Sequence, residues 1–136
     1  MSLVLDASVT MAWCFEADAT PYTEQILERM EQGEDAWVPA LWKLEVVNAL
    51  LKAKRRGRVT VERAKEFLGE LRGLAIQVDN ECLVKADSEI FQLGLEHQLS
   101  SYDAAYLELA QRRNLPLATD DNNLALAAKA KAVLLA

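Results

Sequence analysis

The sequence predicts an α/β fold with a mainly parallel sheet of about five short strands. Three observations carry this. Short apolar runs alternate with longer helical patterns from end to end. The helical patterns outnumber and outweigh the strand-like runs. No repeat, low-complexity tract or Ser/Pro-rich linker interrupts the alternation, and 136 residues is the length of one ordinary domain. A single domain over residues 1–136 is therefore expected.

Ser2 to Leu5 is a short apolar run of strand type. A helix-like segment follows from Ser8 to Phe15, with Ser8 as the expected N-cap, so Asp6 lies just past the carboxyl end of the first strand. From Pro21 to Gln32, Tyr22, Ile26, Leu27 and Met30 recur at helical spacing until Gly33 ends the pattern. Asp35 to Val38 is the second strand. Ala40 to Arg56 is strongly helical, with a wide apolar face and a stop at Gly57, and a further helix capped by Thr60 carries Val61, Ala64, Phe67, Leu68 and Leu71. Ala75 to Val78 is the third strand, Asn80 to His97 a long helix, and Ser101 to Arg113 another. Leu115 to Ala118 is the fourth strand, Leu124 to Lys129 a short helix, and Ala132 to Leu135 the last strand.

A hydrophobic share of 51% and a charged share of 26% are those of a soluble globular protein. The net charge of -6 argues against a protein that coats nucleic acid by neutralising it, although a bound metal and a local basic patch can reverse the field where a substrate docks. Cys14 and Cys82 stand apart without CxxC or Cys/His spacing and read as buried thiols in a reducing compartment. Asp6 cuts short the apolar start, so there is no signal-peptide core, and no run approaches the ~20 apolar residues of a membrane span. A cytoplasmic location is expected.

The chemistry is concentrated in scattered acids. Asp6 and the Asp120-Asp121 pair both follow short strands, and ligands bind at the carboxyl ends of strands in open parallel sheets. Helix capping is the bland alternative; it explains one member of the pair but not two. Glu45 sits on a helix among Leu41, Trp42, Asn48 and Ala49, an apolar stripe with one amide. Burying an unpaired carboxylate costs several kcal/mol, so Glu45 must meet a cation, a basic side chain or a polar cleft, with a salt bridge to an arginine as the structural alternative. Asp103 lies in the first turn of its helix behind Ser100 and, alone, reads as part of a capping box. Gathered together, these acids would repel one another by roughly 1 kcal/mol per pair at about 4 Å in water and more in a cleft. They would take up protons or a cation. An all-carboxylate pocket suits Mg2+ or Mn2+, whereas Zn2+ would recruit His or Cys, and His97 is the one histidine.

The residues also carry a resemblance. Val4-Leu5-Asp6-Ala7-Ser8, the isolated Glu45 within Leu41 to Leu50, Ser101-Tyr102-Asp103-Ala104-Ala105-Tyr106-Leu107, and Leu117-Ala118-Thr119-Asp120-Asp121-Asn122-Asn123-Leu124 occur in that order over essentially the whole chain. The order resembles that of the PIN-domain ribonucleases, and within them the VapC-type toxins of prokaryotic toxin-antitoxin pairs. The resemblance implies an acidic quartet of Asp6, Glu45, Asp103 and Asp121, the last chosen by a Thr-x-Asp-x-x-Leu pattern, with Asp120 as an auxiliary acid. It implies small hydroxyls near the metal, onto which Ser8 and Thr119 map. It further implies a three-layer α/β/α sandwich, a homodimer, and a small VapB-like antitoxin that blocks the cleft.

The mechanism follows from what is present. Without two histidines, cleavage through the RNA 2'-hydroxyl with His acid and base is disfavoured, and a Ser or Cys nucleophile lacks a recognisable His partner. Hydrolysis by water activated at a divalent cation remains, leaving a 5'-phosphate and a 3'-hydroxyl. Asp6 and Asp103 are the direct ligands in this reading, with Glu45 and Asp121 completing the pocket. Lys52, Lys54, Arg55, Arg56 and Arg58 are candidate RNA contacts, although cations also complement a helix C-terminus. Trp13, Trp37 and Trp42 read as core, and His97 as a surface residue favoured by a helix end. Two rivals remain: a catalytically silent module whose acids bind an Arg-bearing partner, and a doubly wound phosphatase or phosphoacceptor using Asp6, which lacks the usual second Asp at Ser8.

Overall fold

A computed structural model describes residues 2–136. Among these, four strands and seven α-helices follow one another as β1 (Leu3–Leu5), α1 (Ala7–Ala12), α2 (Pro21–Glu31), β2 (Ala36–Pro39), α3 (Leu41–Arg55), α4 (Val61–Arg72), β3 (Ile76–Asp79), α5 (Phe91–His97), α6 (Ser101–Arg113), β4 (Leu117–Ala118) and α7 (Asn122–Ala130). The sheet order is β3-β2-β1-β4 and every pairing is parallel. Helices flank this sheet in the α/β/α arrangement that the resemblance implies.

β1 is Leu-Val-Leu with no exposed surface, because a parallel strand covered on both faces must be apolar throughout. Its register, Val4 opposite both Trp37 and Leu117, brings the ends of β1 and β4 side by side. α6 packs on β1 and β2, and the run Ala104 to Ala110 is buried all round. Within that run, Glu108 is tolerated because Arg112 one turn on meets it at 2.7 Å. The turns expected after α2 and α3 are made by Gly33 (φ 100) and Gly57 (φ 71), in the left-handed region that glycine enters at little cost.

Four expectations are corrected. The fifth strand is reduced to one parallel bridge, Leu117 to Leu134, because Ala132 (φ 60) turns the chain sharply out of α7. The first helix begins at Ala7 and ends at Ala12, with a 3-10 turn at Glu16–Asp18 beyond it. Ser8 is thus inside the helix and is not its cap. The long helix from Asn80 is broken: Asp79 accepts from the Glu81 N–H at 2.9 Å, and turns and a π-helical stretch at Ala86–Ile90 precede α5. Cys82, Ile90 and Leu93 still point into the core, so the apolar spacing is real while the backbone is irregular. His97 is more enclosed than a surface residue, its side chain 15% exposed and 3.5 Å from Glu96. No helix of the described residues is long and apolar enough to cross a membrane.

Candidate active site

Asp6 follows β1 and occupies the N-cap position of α1, yet its carboxylate makes no cap bond. Instead Oδ2 accepts from the Ser8 hydroxyl at 2.6 Å and from the Thr119 hydroxyl at 2.7 Å. Thr119 comes from the end of β4, so the parallel pairing of β1 and β4 brings its hydroxyl to the same oxygen that Ser8 reaches from two residues away. Each hydroxyl also accepts a backbone N–H, Ser8 from Asp120 at 2.9 Å and Thr119 from Asp121 at 3.1 Å. The β4–α7 loop is thereby tied to Asp6, which is only 4% exposed.

Asp121 caps α7, its Oδ1 accepting from the Leu124 N–H at 2.9 Å. The cap therefore accounts for Asp121, and Asp120 is the exposed member of the pair. Asp103 is partly buried in the first turn of α6, where its own N–H donates to Ser100 Oγ at 3.1 Å. Glu45, in the second turn of α3, has neither an arginine nor a lysine as partner among the described residues; Oε1 accepts from the Tyr106 hydroxyl at 2.6 Å. Tyr106 was not a candidate from sequence, although a polar-tipped ring three residues after Asp103, between Ala105 and Leu107 on a buried helix, is the signal that could have found it.

The electrostatics join the four acids. Burial raises the Asp6 carboxyl above its ordinary range, Ser8 and Thr119 oppose this, and Asp121 adds to the rise. Glu45 is raised by burial, against the Tyr106 bond, and further by Asp6 and Asp103. Asp103 is pushed up to about 6 by burial and then by Asp6 and Asp121. The Tyr106 phenol is raised far above its usual value by burial, Asp6 and Glu45, so it stays a proton donor. Asp6, Glu45, Asp103 and Asp121 thus lie within electrostatic reach of one another, delivered by the ends of β1 and β4 and by two helices.

Among the described residues, no three acidic, His or Cys side chains are close enough together to close on an ion as they stand. The fit to a metal rests on donor chemistry. The donors are carboxylate and hydroxyl oxygens, their charge is uncompensated by any basic partner among the contacts above, and no His or Cys joins them. That set suits a hard cation such as Mg2+ or Mn2+, which binds through one or two carboxylates and keeps much of its own water.

The basic stretch divides. Lys52, Lys54, Arg55 and Arg56 are exposed, whereas Arg58 meets Asp18 at 3.4 Å and lies 4.5 Å over the Phe15 ring. Trp42 is buried and donates to Thr10 Oγ1 at 3.1 Å, Trp13 donates to the Thr23 carbonyl at 2.9 Å, and Trp37 is stacked under Arg113. None of the three is free to stack on a base.

A parallel sheet with Asp6 and Asp121 beyond the ends of β1 and β4, and with Glu45 and Asp103 on helices within electrostatic reach of them, defines the class to which comparison with known proteins leads. The chain belongs to the PIN domain family, whose model matches residues 3–130. It is 34% identical over 127 residues to Ribonuclease VapC3 of Pyrobaculum aerophilum, covering 92% of this chain and 93% of that one. Its fold is similar to the crystal structure of PAE2754 from Pyrobaculum aerophilum, with a TM-score of 0.74 and 24% identity over 99% of this chain and 88% of the other. A toxin-antitoxin complex from Klebsiella pneumoniae matches with a TM-score of 0.55 and 18% identity, over 85% and 82% of the two chains.

Proposed function

We propose that this protein is an endoribonuclease dependent on Mg2+ or Mn2+, and the toxin of a VapBC-type toxin-antitoxin pair. The supporting observation is that burial raises the Asp6, Glu45 and Asp103 carboxyls and neighbouring acids add to each rise, Asp121 at Asp6, Asp6 and Asp103 at Glu45, and Asp6 and Asp121 at Asp103. Its whole-length similarity to Ribonuclease VapC3 points the same way.

In this reading Asp6 and Asp103 would hold the ion directly, with Glu45 and Asp121 completing the pocket and Asp120 auxiliary to it. A bound divalent ion lowers the pKa of water, polarises the phosphoryl oxygen and neutralises charge on the leaving oxygen. Ser8 and Thr119 fix Asp6 by bonding one of its oxygens, which leaves the other to face a ligand. Glu45, held by Tyr106, orients the attacking water. Cleavage leaves a 5'-phosphate and a 3'-hydroxyl.

Lys52, Lys54, Arg55 and Arg56 stand two or more turns beyond Glu45 on the same helix, and seven residues of helix span about 10 Å. RNA backbone entering the cleft would meet them there. An apolar groove lined by Leu41, Leu44, Cys82, Leu83, Ile90 and Tyr102 adjoins the Glu45 and Asp103 segments. Leu44, Leu83 and Tyr102 are 73%, 81% and 60% exposed, the kind of surface on which an antitoxin or a second copy packs. Acting on cellular RNA, the protein would work in the cytoplasm.

The test is expression with and without Asp6→Asn, followed by sequencing of RNA 5' ends. Growth arrest and new 5'-phosphate ends from the parent alone, and cleavage by the purified parent that EDTA stops and Mg2+ or Mn2+ restores, are expected. Identical RNA from both chains would remove the enzymatic reading.

A further inference from the structure

We propose that Tyr106 is a positioning residue: its hydroxyl binds one oxygen of Glu45 and thereby sets where the other oxygen is presented to the reacting groups. This rests on the reading of the cleft as a divalent-ion nuclease site.

Packing alone does not set the Glu45 carboxylate. The residue is half-buried, Asn48 on the same helix face is exposed, and a glutamate has three side-chain torsions whose ordering costs rotamer freedom. The Tyr106 ring is the opposite, with no exposed surface and few torsions, held inside the wholly buried part of α6. The bond between them is 2.6 Å long, joins residues 61 apart in sequence, and has the short length of a hydroxyl donating to a carboxylate. Its direction matters. A phenol has one proton, and here it goes to Oε1, so among the described residues Oε2 has no side-chain donor. Because Tyr106 lies three residues after Asp103, the same face of α6 that carries one acid also aims a second acid borne by α3. A phenylalanine would fill the same apolar space. The hydroxyl is what the core does not need and Glu45 does.

Tyr106→Phe, Glu45→Ala and the double variant are compared with the parent by calorimetric titration with Mn2+, by kcat and KM on RNA, and by thermal unfolding. Tyr106→Phe is expected to weaken Mn2+ binding by about 10–100-fold and to lower kcat more than it changes KM. In the Glu45→Ala background it should add about twofold or less, because the side chain through which it acts is gone. Mn2+ affinity within about twofold of the parent, or a loss undiminished in the Glu45→Ala background, would overturn the proposal. A parent that neither binds Mn2+ nor cleaves RNA fails the underlying reading and the proposal with it. A crystal structure of the Mn2+-loaded parent tests it without any variant: the Tyr106–Glu45 bond should persist, and a Glu45 carboxylate swung away from Tyr106 would refute it.

Discussion

Replacing Asp79 with asparagine removes the buried charge that Arg112 and Arg113 share in the network they form with Glu81 and Glu108. The Asp79 carboxylate is 1% exposed; it accepts from Arg112 at 2.9 Å on each oxygen, from Arg113 at 2.8 Å and from the Glu81 N–H at 2.9 Å. Removing one partner of a buried pair costs about 3–5 kcal/mol, because the other charge is stranded. Here Arg112 keeps Glu108 and Glu81, and Arg113 keeps the Trp37 ring, so the low end, about 3 kcal/mol, is expected. At this length 1 kcal/mol moves the melting temperature by about 3–4 °C, which gives a drop of about 10 °C at pH 7. The sign of the pH dependence is fixed by the same contacts. Burial would raise the Asp79 carboxyl, but the Arg112, Glu81 and Arg113 hydrogen bonds outweigh it and hold it well below the usual carboxylate range. Its stabilisation is therefore complete above the unfolded value of about 3.9 and is lost as pH falls below that toward the folded value. Circular dichroism melts of both chains between pH 7 and pH 2.5 should show curves that converge on acidification. A drop smaller than about 3 °C at pH 7, or a gap that stays constant down to pH 2.5, would refute the reasoning.

Asp103→Asn should abolish RNA cleavage yet raise the metal-free melting temperature by about 3–4 °C, since it takes about 1 kcal/mol of repulsion out of the acidic cluster; a melt that falls would contradict the cluster's electrostatics. Asp120→Asn, at an exposed position and auxiliary to the pocket, should reduce cleavage and Mn2+ affinity far less than Asp121→Asn, read by the same titration and RNA assay. Trp42→Phe removes the indole bond to the buried Thr10 hydroxyl, which keeps its bond to the Asp6 carbonyl, and shrinks a buried ring, so chemical denaturation should show a loss of about 1–3 kcal/mol. Neutralising Lys52, Lys54, Arg55 and Arg56 together should reduce the salt dependence of RNA binding by a slope of about 3, whereas Arg58→Ala should alter it less and cost about 1 kcal/mol of stability at most.

Much of the frame was legible because short-range physics writes it. The Ser100 cap placed α6 at Ser101–Arg113 as expected, and Thr20 and Thr60 accept the backbone N–H groups that begin α2 and α4. Periodicity failed where a backbone could bury the same side chains in another way, as at Cys82 to Ile90, where turns and a π-helical stretch replace a regular helix. Glu45 was conspicuous as a charge in an apolar stripe, but a stripe does not name the partner. The sequence left open a cation, a basic side chain or a polar cleft, and the contact found is a phenol on a helix 61 residues away. The basic run likewise read as one feature; Arg58 separates from it because Asp18 and Phe15 are brought beneath it.

By itself the amino-acid order determined the α/β class, most element positions and the acids worth attention, because propensity, capping and hydrophobic spacing act over a few residues. Only the tertiary structure decided which acids come within electrostatic reach of one another, which oxygen of Asp6 the Ser8 and Thr119 hydroxyls occupy, and that the Tyr106 hydroxyl bonds Glu45. Those facts depend on strand order, register and helix docking, which are set by long-range packing of the whole chain and leave no local trace at any one residue.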